Sequence, residues 1–318
     1  MKIIHFAIND PAGAAIAFVK AINRYTPHRA RLVTWEIRYN FMFEKDFHIP
    51  WMDKQALEFL YEEMWEADIF HFHMLIDETH PVGGFRISDF ANCKKILHHH
   101  HGHPDFRANP DKYRKKYRNP KRRVLASTPD LLHLIPEALW QPNLVPINDH
   151  SYLPACDSNN GVVKVGQAPT RKDLKNTAEL VRVASRLRSA VGQSRLELEI
   201  IENCLHRDCL ERKKRCDIIF DHMQGYYGVS SLESLSQGKP VIAGLDDWNA
   251  GWIKRFAESS DLPWVLARNQ DELEGQLLRL VEDPDLRVEI GCKSRRFMEE
   301  HWTEKQVLKP LLEVYASL

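Results

Sequence analysis

Short apolar runs alternate with longer amphipathic segments, and this alternation passes along the chain twice. The runs "IIHFAI" (3–8), "RLVTWEI" (31–37), "ADIFHFH" (67–73), "KKILHHH" (94–100) and "RVLAST" (123–128) have the length and composition of strands, with helical periodicity between them. The rhythm restarts with "VVKVGQA" (162–168), "LELEII" (196–201), "CDIIFDH" (216–222), "KPVIAG" (239–244) and "WVLA" (264–267). Strands separated by helices cannot pair as hairpins, so they predict parallel sheets built from right-handed βαβ units. Between the two series lies "QPNLVPINDHSYLPACDSNNG" (141–161), whose prolines and polar end read as a connector. The expectation is an α/β chain of two Rossmann-like, doubly wound domains facing across a cleft. Residues 1–148 form the first, 149–300 the second, and 301–318 a helix that crosses back to the first. The end of the chain reads as helical apart from breaks near Trp302 and Pro310.

A chain of 318 residues with 43% hydrophobic side chains can bury proper cores. Lysine plus arginine and aspartate plus glutamate each total 44, so no global field recruits nucleic acid or a membrane, and a charged partner must meet a local patch. No apolar run approaches the roughly 20 residues that span a bilayer, and the first residues lack the pattern of a signal peptide, which predicts a cytoplasmic protein. The six cysteines, at 93, 156, 204, 209, 216 and 292, are too few and too dispersed for a disulfide framework and are read as reduced.

The segment "GYYGVSSLESLSQGKPVIA" (225–243) carries the most chemistry. Gly225 and Gly228 allow a tight turn after the strand ending at Asp221 and His222, and helical residues follow from Ser230. A helix start after a glycine turn presents free N–H groups and the positive end of the dipole, which suit a phosphate. A local alternative is a capping box, in which Glu233 returns to the N–H of Ser230. Upstream, Arg171, Lys172 and Lys175 stand in the loop and first turn before a helix whose core face is Leu180, Val183, Ala184, Leu187 and Val191. Cations at a helix start oppose the dipole, so they are easier to explain with an anion present, the alternative being a solvated charge cluster.

Together these two segments resemble the nucleotide-sugar site of GT-B glycosyltransferases, and of glycosyltransferase family four in particular. "GVSSLESLSQGKPVIA" is similar to that family's G-x-x-L-E-A-x-A-x-G-x-P-V-I-A signature. The resemblance implies that Glu233 binds the ribose hydroxyls and that the amides of Gly228, Val229, Ser230 and Ser231 bind the diphosphate. Lys175 matches the family's lysine, and Arg171 and Lys172 compete for the place of its arginine, the pair that neutralises the leaving diphosphate. One departure stands out: the family's first glutamate, eight residues before Glu233, is here Gly225, with Asp221 as a substitute. The implied activity is retaining, metal-independent transfer of a hexosyl unit from a nucleotide diphosphate sugar to a glycan, lipid-linked or small-molecule hydroxyl. The donor is a substrate, so no cofactor is expected. The alternatives are a GT-B nucleotide-sugar epimerase and a catalytically silent nucleotide-sugar-binding protein, the latter motivated by Gly225.

In the first half, "ILHHHHGHPDFR" (96–107) ends a strand in a loop. A metal is not expected there, because consecutive residues on a strand point to opposite faces. The resemblance implies His101 with Gly102 at the donor sugar. His73, ending its own strand, is a second candidate for the catalytic face, its alternative being a satisfied buried histidine. Gly13 in "INDPAGAA" could allow a close backbone approach to phosphate or acceptor, although GxGxxG is absent. Cys204, His206, Cys209 and Cys216 lack zinc-site spacing and read as structural. "KYRKKYRNPKRR" (112–123) reads as a solvated face, with a peripheral contact to anionic lipid at the inner membrane face as its functional alternative. Tyr113 and Tyr117 would suit base stacking, but the neutral charge balance argues against nucleic acid.

Overall fold

The computed structural model describes residues 1–38, 43–119, 122–155, 161–192 and 195–318. Cys156, Lys121 and the end of the connector lie outside the described residues, as does the side chain of Val191. The chain divides into two compact units, residues 1–144 with 304–318 and residues 145–303.

The first unit is built on β1 (Lys2–Ala7), β2 (Arg29–Thr34), β3 (Phe47–His48), β4 (Ile69–His73), β7 (Lys95–His100), β8 (Arg122–Ala126) and β9 (Leu139–Trp140). They form one sheet in the order β3-β2-β1-β4-β7-β8-β9, every adjacent pair parallel. A small hairpin, β5 (Pro81–Val82) and β6 (Phe85–Arg86), stands apart. The helices are α1 (Ala14–Tyr25), α2 (Lys54–Glu66), α3 (Pro104–Ala108), α4 (Pro110–Tyr117) and, from the end of the chain, α11 (Glu304–Ser317). One face of the sheet carries an apolar core that includes Ile4, Phe6, Phe70 and Phe72.

The second unit has β10 (Val163–Gln167), β11 (Leu196–Ile200), β12 (Ile218–Phe220), β13 (Val241–Ala243) and β14 (Trp264–Leu266). Their order is β11-β10-β12-β13-β14, again all parallel. Around it run α5 (Thr177–Val191), α6 (His206–Lys214), α7 (Val229–Ser236), α8 (Asp247–Ala257), α9 (Gln270–Glu282) and α10 (Pro284–His301). Leu180, Val183, Ala184 and Leu187 of α5 enter the core with Val165, Ile218 and Leu277.

Every strand read from the sequence is present, and only the two-residue strands β3, β5, β6 and β9 are additional, too short to carry a pattern. The end of the chain differs from expectation at Pro310, which lies inside α11 rather than breaking it. Burial of Val307, Leu308, Leu311, Val314 and Tyr315 holds the helix through a residue that costs it a hydrogen bond. The second unit runs on to Thr303, because Trp302 is fully buried against Tyr227, Phe256 and Phe297 of that unit. Cys93, Cys204, Cys209, Cys216 and Cys292 are free thiols.

Candidate nucleotide site and histidine cluster

In open parallel sheets a ligand sits at the carboxyl ends of the strands where the strand order reverses. In the second unit that point lies between β10 and β12, and the residues singled out above gather there. Gln167, the last residue of β10, donates from Nε2 to the Lys175 carbonyl at 2.6 Å and to the Asp221 carbonyl at 3.1 Å, tying the two loops together. Asn176 takes a left-handed conformation at the start of α5, and its side chain accepts from Met223 N–H at 2.9 Å. Lys175 is thereby carried to the start of α7.

The turn into α7 is organised by Asp221. Its Oδ2 accepts from Gly228 N–H at 2.6 Å and from the Ser231 hydroxyl at 2.7 Å, and Oδ1 pairs with Lys175 Nζ at 3.2 Å. Burial opposes its charge, yet His222, Lys175 and these bonds hold the carboxyl well below the usual carboxylate range. The Asp221 side chain is thus engaged by the turn itself. Ser231 N–H bonds the Gly228 carbonyl at 3.0 Å, and among the described residues nothing accepts from the N–H groups of Val229 and Ser230. These are the donors that α7 can offer an anion.

The capping box does not form. Glu233 is buried within α7, with Oε1 on His206 Nε2 at 2.7 Å and Oε2 on Lys213 Nζ at 2.5 Å. Lys213 also donates to Ser230 Oγ at 2.7 Å. Burial alone would raise the Glu233 carboxyl, but Lys213 and His206 outweigh it and hold it at about 2. Burial likewise opposes the Lys213 ammonium, and Glu233 nevertheless leaves it above its ordinary value. Sequence reasoning missed Lys213 and Gln167, and weighed His206 only as a zinc ligand. Lys213 and His206 sit at the two ends of α6, the segment otherwise considered for zinc, and that reading found no use for the basic residues within it.

The basic residues before α5 are each met by a carboxylate: Arg171 by Asp173, Lys172 by Glu202 at 2.9 Å, and Lys175 by Asp221. Anion binding is therefore not required to explain them. The first two pairs are largely exposed, and such pairs contribute about 0–1 kcal/mol, so they can be redirected to a ligand at little cost.

Gly225 adopts φ 87°, and a Cβ there would lie 3.0 Å from Asp246 Oδ2. No glutamate fits this backbone unaltered. Gly13 also has a left-handed φ of 65°, but the space beside it holds the Phe43 ring. The start of α1 is already capped by Asp10, which accepts from Ala15 and Ile16 N–H at 3.2 and 2.9 Å.

In the first unit, register pairs His5 with His71 and His73 with His99, so His5, His71, His73, His99 and His101 share one face. Four of them form a hydrogen-bonded file with Tyr315, and the His99 ring packs beside His73 and His101. His101 Nε2 lies 2.9 Å from His73 Nδ1, His73 Nε2 lies 2.9 Å from His5 Nδ1, and Tyr315 Oη of α11 reaches both His5 Nε2 at 3.2 Å and His71 Nδ1 at 2.7 Å. Burial lowers His5 to about 3, His101 to about 4 and the others well below the ordinary value, so the rings are neutral at pH 7. Both ring nitrogens of His73 are taken up in this file. His98 and His100 point to the opposite face, where Arg122 and Tyr117 meet them.

The basic block at 112–123 is met by its own unit. Lys112 pairs with Asp105, Arg114 with Glu137, Lys116 with Asp77 and Arg122 with Glu78, while Lys115, Arg118 and Arg123 are exposed. Tyr113 is buried against Phe106, and Tyr117 bonds His100, so neither offers a face for stacking on a base.

No protein-family model and no curated protein matches the chain. Solved structures do. A glycosyltransferase from Rickettsia africae superposes with a TM-score of 0.62 at 13% identity, covering 99% of this chain and 97% of that one. HepE from Anabaena, solved with UDP and glucose, gives 0.64 at 13% identity with both chains fully covered. The fold is GT-B. The same architecture is found in a UDP-GlcNAc 2-epimerase from Neisseria meningitidis bound to UDP-GlcNAc, at a TM-score of 0.51, 11% identity and full coverage of both chains. Identities this low establish the GT-B fold and nothing finer. No helix among the described residues is long and apolar enough to cross a membrane.

Proposed function

We propose that this chain is a glycosyltransferase that takes a sugar from a nucleotide diphosphate sugar held in its second unit. One observation carries the reading: the Val229 and Ser230 N–H groups and Lys175 Nζ meet at the β10/β12 switch point, at the positive end of α7. The diphosphate would lie on those amides with Lys175, and with Arg171 or Lys172 turned from its exposed partner. The Glu233 oxygens, fixed by Lys213 and His206, retain lone pairs for ribose hydroxyls. Charge developing on the leaving diphosphate would be met by these groups without a metal there. The resemblance to family four makes the transfer retaining, with a hexosyl donor. His101 and Gly102 are proposed at the sugar side, and the acceptor is a hydroxyl of a glycan, a lipid-linked glycan or a small molecule. The UDP and UDP-sugar bound in structures of the same fold support UDP as the first nucleotide to test.

A second reading rests on Gly225, whose conformation and Asp246 neighbour leave no room for the acidic side chain of the resembling family. On that reading the protein binds a nucleotide sugar without turning it over. The deciding experiment is release of nucleoside diphosphate from a panel of nucleotide sugars, with and without candidate acceptor hydroxyls. Acceptor-dependent release that Lys175→Ala lowers at least tenfold establishes the transferase. Binding without release establishes the second reading, and an altered sugar nucleotide without an acceptor identifies an epimerase.

A further inference from the structure

The alternation that separates neighbouring histidines along one strand also gathers every second one across adjacent strands. Two sets of three imidazoles result, His5–His71–His73 and His73–His99–His101, each with one ligand atom per ring within 4.8 Å of the others. The first set is closed: all three rings are buried, and Tyr315 already bonds both His5 and His71. The second set differs in two respects. His101, just past β7, is only half-buried and opens the set at the carboxyl end of the sheet. His99 is fully buried, and neither ring nitrogen completes a well-formed hydrogen bond, although the Gln141 backbone lies near the ring, an unusual condition for a buried polar group.

We propose that His73, His99 and His101 bind a divalent transition-metal ion, zinc foremost, with the fourth position open on the His101 side. Imidazole nitrogens suit zinc, cobalt, nickel and copper, and three protein ligands with one open position are a common zinc arrangement. His73 Nδ1 and His101 Nε2 face each other at 2.9 Å, and zinc–nitrogen bonds of about 2.0–2.1 Å need them to part only slightly. The rotation His99 must make gives up no well-formed hydrogen bond, only an approach to the Gln141 backbone. An outer partner is in place for His73, whose Nε2 stands 2.9 Å from His5 Nδ1, and Asn143 lies beside His101. The proton shared between His73 and His101 is displaced from the metal side; His73 then carries its proton on Nε2 toward His5, and His101 carries its own on Nδ1. All rings stay neutral, and no proton is lost overall.

This site lies in the first unit; it shares His101 with the sugar side proposed above but does not rest on that reading, because its test reads metal uptake and not turnover. The test is titration of the chelator-stripped full chain with zinc against a chromophoric competitor, and with cobalt followed by its visible absorption. One ion per chain is expected, with a tetrahedral cobalt spectrum and a raised melting temperature. Loss of a hydrogen-bond partner that orients a ligand alone weakens metal sites about 10–100-fold, so His99→Gln and His101→Asn should each weaken binding at least about tenfold. His28→Gln, in the loop just before β2 and outside the cluster, should leave it unchanged. His101→Asn changes a half-buried position and keeps the test open if His99→Gln fails to fold. Wild-type protein that takes up no zinc, or uptake that neither cluster variant weakens, overturns the proposal.

Discussion

Glu233 shows at the scale of one residue why a motif and its energetics must be read together. Its pattern in the sequence allowed a ribose ligand or a capping residue, and in the structure it is half of a buried ion pair with Lys213. Removing one partner of such a pair leaves the other charge buried, which costs about 3–5 kcal/mol. Glu233→Ala should therefore lose stability of that order in urea unfolding, and adding Lys213→Met should restore most of it. The pair also sets a pH dependence. A carboxyl held at about 2 when folded, against 4.5 unfolded, contributes stability that is full above pH 4.5 and is lost as pH falls toward 2. Glu233→Gln should remove that dependence. An unchanged wild-type slope in the variant would show that Glu233 is not the group responsible. Because Glu233→Ala perturbs folding, Lys175, whose side chain is 20% exposed, is the cleaner probe of ligand binding.

At the scale of elements, what was legible differed between the two sheets. The β10 and β12 ends and the start of α7 could be read because strand, glycine turn and helix follow one another closely in sequence. Lys213 and Gln167 could not, since their partners lie 20 and 54 residues away and depend on which strands become neighbours. The histidines of β4 and β7 make the same point. Alternation along one strand argued against convergence, and only the register of β1, β4 and β7 shows that five rings share a face. That face has an acid-stability signature in metal-free protein. Histidines whose folded values are lowered remain neutral when folded but gain protons when unfolded, so their contribution is full above about 6.5 and lost as pH falls. His5 and His101 on that face, lowered to about 3 and 4, and His98 on the opposite face, lowered to about 3, should each add up to about 1.4 kcal/mol per pH unit to that loss. Hydrogen exchange should show the sheet of the first unit opening steeply below pH 6, whereas flat protection down to pH 5 would contradict the buried, neutral assignment.

For the whole molecule, the βα rhythm was enough to specify two parallel sheets, because it excludes hairpins wherever a helix intervenes. With zero net charge, the proposed donor site must be built locally, and the charges gathered there are paired: Lys175 with Asp221 and Lys213 with Glu233. On the proposed reading such a site would neutralise a diphosphate through two helix N–H groups and redirected cations rather than through a broad positive field, so its affinity should depend only weakly on ionic strength beyond the first Debye length. The central claim is that this site holds a nucleoside diphosphate. Its most direct measurement is calorimetric titration of wild type and Lys175→Ala with UDP, then with the other nucleoside diphosphates. The account predicts one saturable site for one of them in wild type, weakened at least tenfold in a variant that stays folded. Absence of binding by every nucleoside diphosphate to folded wild type, or equal affinity in both proteins, would contradict it.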